Sequence, residues 1–147
     1  MSKLLDSYRK KRVSLMLEMD EHPNKQTFAL LQEVTYRISI YETFQVIYHA
    51  SKFMAYKDYA EHYRMFDGFV KMILPERCFS SVDPDTEAKR KTAYNSLWAV
   101  VTDYRKKYSS YRFRNPCDYI DDISETMNAF LSVWLAHRNT YFEIIGV

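Results

Sequence analysis

Residues 56–73 read YKDYAEHYRMFDGFVKMI, and this stretch decides the fold class. Its large apolar residues follow one another at intervals of three, four, three, four and three positions, which is the repeat of one face of an α-helix. They are Tyr56, Tyr59, Tyr63, Phe66, Val70 and Ile73. The spacing predicts an amphipathic helix that ends before Pro75, because proline disfavours helical geometry in the residue preceding it.

Apolar residues recur with a similar period on both sides of this stretch, and proline-containing turns separate the segments. Asn24 follows Pro23 and can cap one helix, and Asp83 precedes Pro84 in the arrangement typical of another helix start. No proline or glycine separates the second predicted helix from the third, so the two are either separate or one long kinked helix. The predicted helices span residues 4–21, 25–51, 56–74, 84–108 and 116–143.

Glycine and proline are scarce in this chain. Its 147 residues include only two glycines and four prolines. In an ordinary protein the two residue types together make up about 12% of the chain, which is a much larger share. Sandwiches, barrels and phosphate-binding loops need glycine at turns and at close backbone approaches, so they are disfavoured. With 47% hydrophobic residues the chain can form its own core. We therefore predict an all-α fold, a single-domain antiparallel bundle of about five helices over residues 1–147.

Charge, cysteine content and hydropathy indicate the class of protein only loosely. The net charge is +2 and the isoelectric point near 8.4, below the values above 9 that are typical of dedicated nucleic-acid domains. Cys78 and Cys117 have neither zinc-site nor disulfide-framework spacing, so we expect reduced thiols in a cytoplasmic protein. No secretory signal and no apolar run of eighteen residues is visible, so no membrane partner is expected.

The segment 87–114 is strongly basic, with eight cations and two anions, and aromatic residues alternate with the cations near its end. Tyrosine and arginine are over-represented at the energetic centres of protein interfaces. We therefore predict a regulator, adaptor or inhibitor that binds another protein and has no enzymatic activity. The predicted partner-binding residues are Tyr104, Arg105, Lys106, Tyr108, Tyr111, Arg112, Phe113 and Arg114.

Two other interpretations of the basic segment stay open. Cations can neutralise phosphates and aromatic rings can stack on unpaired bases, which would make the protein a nucleic-acid-binding regulator. Alternatively, the cations only complement the dipole of a helix end, and the aromatic residues pack back onto the bundle. The nucleic-acid interpretation uses Arg9, Lys10, Lys11, Arg12, Arg105, Lys106 and Lys107.

A carboxylate cluster raises a third hypothesis, a magnesium-dependent hydrolase. Four acids at positions 0, +3, +4 and +7 share one helix face, and carboxylates one turn apart can hold magnesium. Acids also gather in the first turns of a helix because its dipole stabilises them there. These residues are Asp118, Asp121, Asp122 and Glu125.

No other motif points to catalysis. The four histidines lack the spacing that places two metal ligands on one side of a helix, and no glycine-rich phosphate loop is present. We therefore expect no catalytic residue, no metal and no cofactor. The thirteen tyrosines and seven methionines are compatible with an interface that closes on a second copy, so a homodimer is a further interpretation.

Overall fold

A computed structural model of the chain describes residues 2–52, 58–74, 83–110 and 116–146, except for the side chains of Ser2 and residues 116–120. These ranges contain five α-helices and no strand, so the all-α prediction is confirmed. The helices are α1 (Ser2–Glu21), α2 (Lys25–Ala50), α3 (Tyr59–Ile73), α4 (Pro84–Ser110) and α5 (Pro116–Ile145).

The helix bounds agree with the sequence prediction to within about three residues where both ends are described. The end of α2 is a turn in which the backbone N–H of Lys52 donates to the carbonyl of His49 at 3.1 Å. This turn ends α2 before α3 begins at Tyr59, so the two are separate helices. Tyr56 lies outside the described residues.

The chain divides into two compact units, residues 1–45 and 46–146. The first unit is a hairpin of α1 and most of α2. The second contains the last turns of α2 together with α3, α4 and α5, and α4 and α5 pack along each other. A single domain over 1–147 stays a prediction.

Three side-chain contacts in the first unit show that α1 and α2 run antiparallel. Residues early in α1 meet residues late in α2, and residues late in α1 meet the beginning of α2. The contacts join Tyr8 to Tyr41, Arg9 to Glu42 and Glu18 to Thr27.

Two predicted helix caps are present. The Asn24 Oδ1 atom accepts a hydrogen bond from the Thr27 N–H at 2.8 Å, which satisfies one of the unpaired donors at the start of α2. Before α4, the Asp83 carboxylate accepts from the Thr86 hydroxyl at 2.8 Å and from the Asp85 N–H at 3.1 Å. These hydrogen bonds, led by that from Thr86, lower the pKa of Asp83.

The core of the second unit is built from aromatic residues. The predicted apolar stripe of α3 is buried at Tyr59, Phe66, Val70 and Ile73, whereas Tyr63 is half-buried. The Phe66 ring packs 4.9 Å from the ring of Tyr104 on α4 and 5.2 Å from that of Phe130 on α5, measured between centroids. These ring contacts hold α3 against both α4 and α5.

Candidate protein-binding surface

The last turns of α4 carry three consecutive cations that point in different directions, because successive helical residues are rotated by about 100°. Arg105 Nη2 lies 2.8 Å from a carboxylate oxygen of Asp67 on α3. Lys107 faces α5, where its Nζ is 3.2 Å from the Thr126 hydroxyl. Lys106 is exposed and makes no ion pair with a residue that the structure describes. The three cations therefore do not form one continuous basic patch.

Tyr104 is fully buried, with 0% of its surface exposed. Its hydroxyl donates a hydrogen bond to Nδ1 of His62 at 2.6 Å. The ring belongs to the core between α3 and α4, so the prediction that Tyr104 contacts a partner is wrong. The physical reason is its place on the inward face of α4, together with the buried residues Leu97 and Val101.

His62 links the buried tyrosine to the end of α2. Its Nε2 atom lies 3.1 Å from the carbonyl oxygen of Ile47. A carbonyl oxygen only accepts hydrogen bonds, so Nε2 carries the proton and Nδ1 accepts from Tyr104. Burial lowers the pKa of His62, although the hydrogen bond to Ile47 acts in the opposite direction. The imidazole is therefore neutral, and both of its nitrogens are satisfied.

The Tyr63 ring of α3 stacks with the rings of two tyrosines of α4. The centroid of its ring is 5.6 Å from that of Tyr104 and 4.2 Å from that of Tyr108, with interplanar angles of 5° and 11°. The three rings form a nearly parallel stack that begins in the core. Tyr63 and Tyr108 are half-buried, so the outer part of the stack reaches the surface.

Arg105 is held between a carboxylate and an indole. Its guanidinium carbon lies 4.9 Å from the centroid of the Trp98 ring, a cation–π distance. Asp67 accepts from Arg105 and also pairs with Lys71 at 3.1 Å. Burial acts to raise the pKa of Asp67, but the hydrogen bonds from Arg105 and Lys71 outweigh it, so the pKa is lowered. The carboxylate is thus charged at neutral pH and fixes the guanidinium.

These contacts define one surface, which we call the tyrosine–arginine face. Because α3 and α4 are antiparallel, Tyr63 meets Tyr108 and Asp67 meets Arg105 one turn further along. Sequence reasoning predicted the two α4 members of these pairs, Arg105 and Tyr108, and missed the other members. The face comprises Tyr63, Asp67, Trp98, Arg105 and Tyr108.

A sequence signal existed for only part of the missed set. Trp98 and Arg105 are seven positions apart, which places them on one side of a helix. Tyr63 belongs to the periodic stripe of α3, which is mainly a core pattern, and nothing in its spacing distinguishes it from its buried neighbours. Asp67 becomes identifiable only when α3 is placed beside α4.

The remaining residues predicted for partner binding lie outside the described residues. These are Tyr111, Arg112, Phe113 and Arg114. Their part in the surface stays a prediction.

The basic run of α1 belongs to the first unit. Arg9 pairs with Glu42 at 2.9 Å and lies 3.7 Å from Asp6. Arg12 is half-buried, while Lys10 and Lys11 are exposed. One of the four cations is therefore neutralised within the hairpin.

The carboxylate cluster is described only in part. Asp121 and Glu125 are exposed, Asp122 is half-buried, and the side chain of Asp118 lies outside the described residues. Among the side chains that are described, no group of three or more histidine, cysteine, aspartate or glutamate residues has an arrangement that could hold a metal ion. The magnesium hypothesis, which needs Asp118, stays untested.

Comparison of the chain with protein-family models, with curated proteins and with solved structures finds no match. In the described ranges, no helix has the combination of length and apolar character that crossing a bilayer requires.

Proposed function

We propose that this chain is a non-enzymatic regulator, adaptor or inhibitor that binds another protein through the tyrosine–arginine face. The observation that carries the proposal is the half-buried stacked pair of Tyr63 and Tyr108, with ring centroids 4.2 Å apart, beside an arginine held by Asp67. The proposal keeps Tyr111, Arg112, Phe113 and Arg114 as the further partner-binding residues that the sequence predicts.

The rigidity of the face supports protein binding. Immobilising a flexible side chain at an interface costs about 0.5–1.5 kcal/mol, and this cost is smaller when the side chain is already held in place. Stacking restrains Tyr108, and the contacts with Asp67 and Trp98 restrain Arg105. Tyrosine, tryptophan and arginine are also the residues that contribute most at interface centres.

The charge pattern favours a protein over a nucleic acid. Phosphate binding draws on cations that are free to replace counterions. Arg105 is paired with Asp67, and Lys107 is paired with Asp103 at 3.1 Å. Each pair offsets one positive charge of the basic segment. Lys89, Lys91 and Lys106 of this segment are exposed and form no ion pair with any residue that the structure describes.

Affinity capture from the native cells, read by quantitative mass spectrometry, tests the proposal. The bait is the full chain, either unchanged or carrying Tyr108→Ala, and Tyr36→Ala on α2 serves as a matched control because Tyr36 is 38% exposed in the other unit. We expect Tyr108→Ala to reduce the recovered partner by about tenfold or more, as for an interface hot spot. Tyr36→Ala should leave recovery unchanged. Equal recovery with both variants would contradict the proposal.

A mobility-shift experiment separates the nucleic-acid alternative. The full chain is mixed with single-stranded and duplex DNA and RNA at about 50 and 200 mM salt, a range over which phosphate-dominated binding loses several orders of magnitude. We expect no shift at either concentration. A shift that disappears at the higher salt concentration would favour the nucleic-acid alternative.

A separate assay of nucleotide hydrolysis tests the non-enzymatic part of the proposal. Magnesium-dependent release of phosphate from a nucleotide would contradict it.

A further inference from the structure

The α1–α2 hairpin exposes large apolar side chains near its connecting loop. On α1 these are Val13, Met16 and Leu17, of which 57%, 52% and 59% are exposed. On α2, Phe28 is 49% exposed. Isolated exposed apolar residues are ordinary, but a contiguous group on one face marks an interaction site.

Val13 and Met16 of α1 and Phe28 of α2 lie on the same side of the hairpin. The ion pair between Arg9 and Glu42 marks this side. Val13 and Met16 follow Arg9 by four and seven positions, so they share its face of α1. Phe28 precedes Glu42 by fourteen positions, which is close to four full turns of α2.

An open groove of about 580 Å³ lies along this side of α2. Its lining carries no charged side chain. The groove is lined by Phe28, Leu31, Gln32, Thr35, Tyr36 and Ser39.

Charges are ordered along the exposed face of α1. Lys10 precedes Val13 by three positions, and Asp20 follows Leu17 by three. The first end of this face carries Lys3, Asp6 and Lys10 and keeps one net positive charge, the centre is apolar, and the other end carries Asp20 and Glu21. Lys10, Asp20 and Glu21 are exposed and form no ion pair with any residue in the described ranges.

We propose that this face binds a second copy of the chain, with the two α1 helices packed antiparallel about a two-fold axis. A two-fold interface uses the same patch twice, so the patch has to complement itself. Lys10 and Asp20 are equally distant from position 15, and so are Val13 and Leu17. An axis at that position places Val13 against Leu17 of the second copy, and Lys10 against Asp20 of the second copy, at both ends of the interface.

The order of charges favours a second copy of the chain, packed antiparallel, as the partner of this face. A parallel pairing would place the two basic ends together and the two acidic ends together, and a partner of uniform charge would be repelled at one end. Antiparallel self-pairing satisfies both ends at once. Leu15, midway between Lys10 and Asp20, is buried and lies on the other side of α1, so it does not separate the two copies.

Charge exchange tests the proposal by analytical ultracentrifugation of the full chain. We expect a dimer for the unchanged chain, and dissociation constants raised about tenfold or more for Lys10→Glu and for Asp20→Lys, because each reversal acts at both ends of the interface. A mixture of the two variants should dimerise again, since each then supplies the charge that the other needs. Lys11→Glu is the matched control, because Lys11 points about 100° away from Lys10, and should leave the dimer unchanged.

Leu17→Glu provides the second measurement. It places a carboxylate at the apolar centre on an exposed position, so the hairpin should still fold, as circular dichroism would verify, while the dimer is lost. A monomer for the unchanged chain up to about 1 mM, a dimer that Leu17→Glu leaves intact, or variants that fail to recombine would each overturn the proposal. The outcome is independent of the proposed function, because the tyrosine–arginine face lies on α3 and α4 and not on the hairpin.

Discussion

The α1–α2 hairpin and the α3–α4 pair are both antiparallel helix pairs, but they differ in how far their apolar residues are buried and their charged residues are paired. In the α3–α4 pair, Phe66 is 1% exposed and Arg105 has a carboxylate within 2.8 Å. On the hairpin, Phe28 is 49% exposed, and Lys10 makes no ion pair with a described residue. The same secondary structure therefore yields a completed aromatic core in one case and an uncovered, charge-ordered surface in the other.

The comparison separates two kinds of interaction surface. The tyrosine–arginine face is rigid and its charges are compensated, which suits recognition by shape and stacking. The hairpin face is aliphatic, and its charges are left for another molecule to compensate. Truncating a side chain should therefore lower folding stability more on the tyrosine–arginine face than on the hairpin face, because stability is lost only where the side chain is already packed.

The largest expected difference comes from truncating one phenylalanine in each region. Phe66→Ala should lower the free energy of unfolding by about 3–5 kcal/mol, because it leaves a cavity between the rings of Tyr104 and Phe130. Phe28→Ala should change it by about 0.5 kcal/mol or less. Urea unfolding followed by circular dichroism, at a concentration where the chain is monomeric, measures both. Similar losses would show that the two regions are packed alike.

Acid should destabilise the α3–α4 region through His62. The folded pKa lies below the ordinary value of 6.5, so the unfolded chain takes up the proton first. The stabilisation is fully present above pH 6.5 and is lost as the pH falls towards the folded pKa, with a slope of up to about 1.4 kcal/mol per pH unit. Urea unfolding at a series of pH values measures this slope. In His62→Gln, whose amide can still donate to Ile47, this contribution should vanish. An unchanged slope in that variant would contradict the assignment.

Removing one hydroxyl should have a smaller effect. Tyr104→Phe leaves Nδ1 of His62 buried without a donor, which should cost about 1–2 kcal/mol of unfolding free energy. Tyr36→Phe on the hairpin is the matched control and should cost almost nothing, because that tyrosine is partly in contact with solvent. Equal shifts of the melting temperature for Tyr104→Phe and Tyr36→Phe, measured by thermal denaturation, would contradict this prediction.

The smallest expected difference concerns ion pairs. Asp67→Asn should lower the unfolding free energy by less than about 1 kcal/mol, because the pair with Arg105 is partly exposed. Glu42→Gln removes the more exposed pair with Arg9 and should cost less again. A larger loss for Glu42→Gln, measured at the same salt concentration, would reverse the ranking of the two regions.

Much of the fold was predictable because helix formation depends on local pattern. The stripe from Tyr59 to Ile73, and the caps at Asn24 and Asp83, act within a few residues of one another and can be identified without knowledge of the neighbouring helices. The absence of glycine-dependent turns then disfavoured β-architectures. The candidate site was predictable only in part: Arg105 and Tyr108 were identified, but Tyr104, which was predicted to contact a partner, is buried.

Local pattern thus specified which segments are helical and where two of them begin, because those properties arise from backbone geometry and nearby side chains. The tertiary structure alone decided which side chains meet: that Tyr63 stacks with two tyrosines of α4, that Asp67 pairs with Arg105, and that His62 connects Tyr104 to Ile47. Such contacts join residues that are 15 to 45 positions apart, as in the Ile47–His62 and Tyr63–Tyr108 pairs. They depend on the rotation and register of one helix against another, which the spacing within a single helix does not contain.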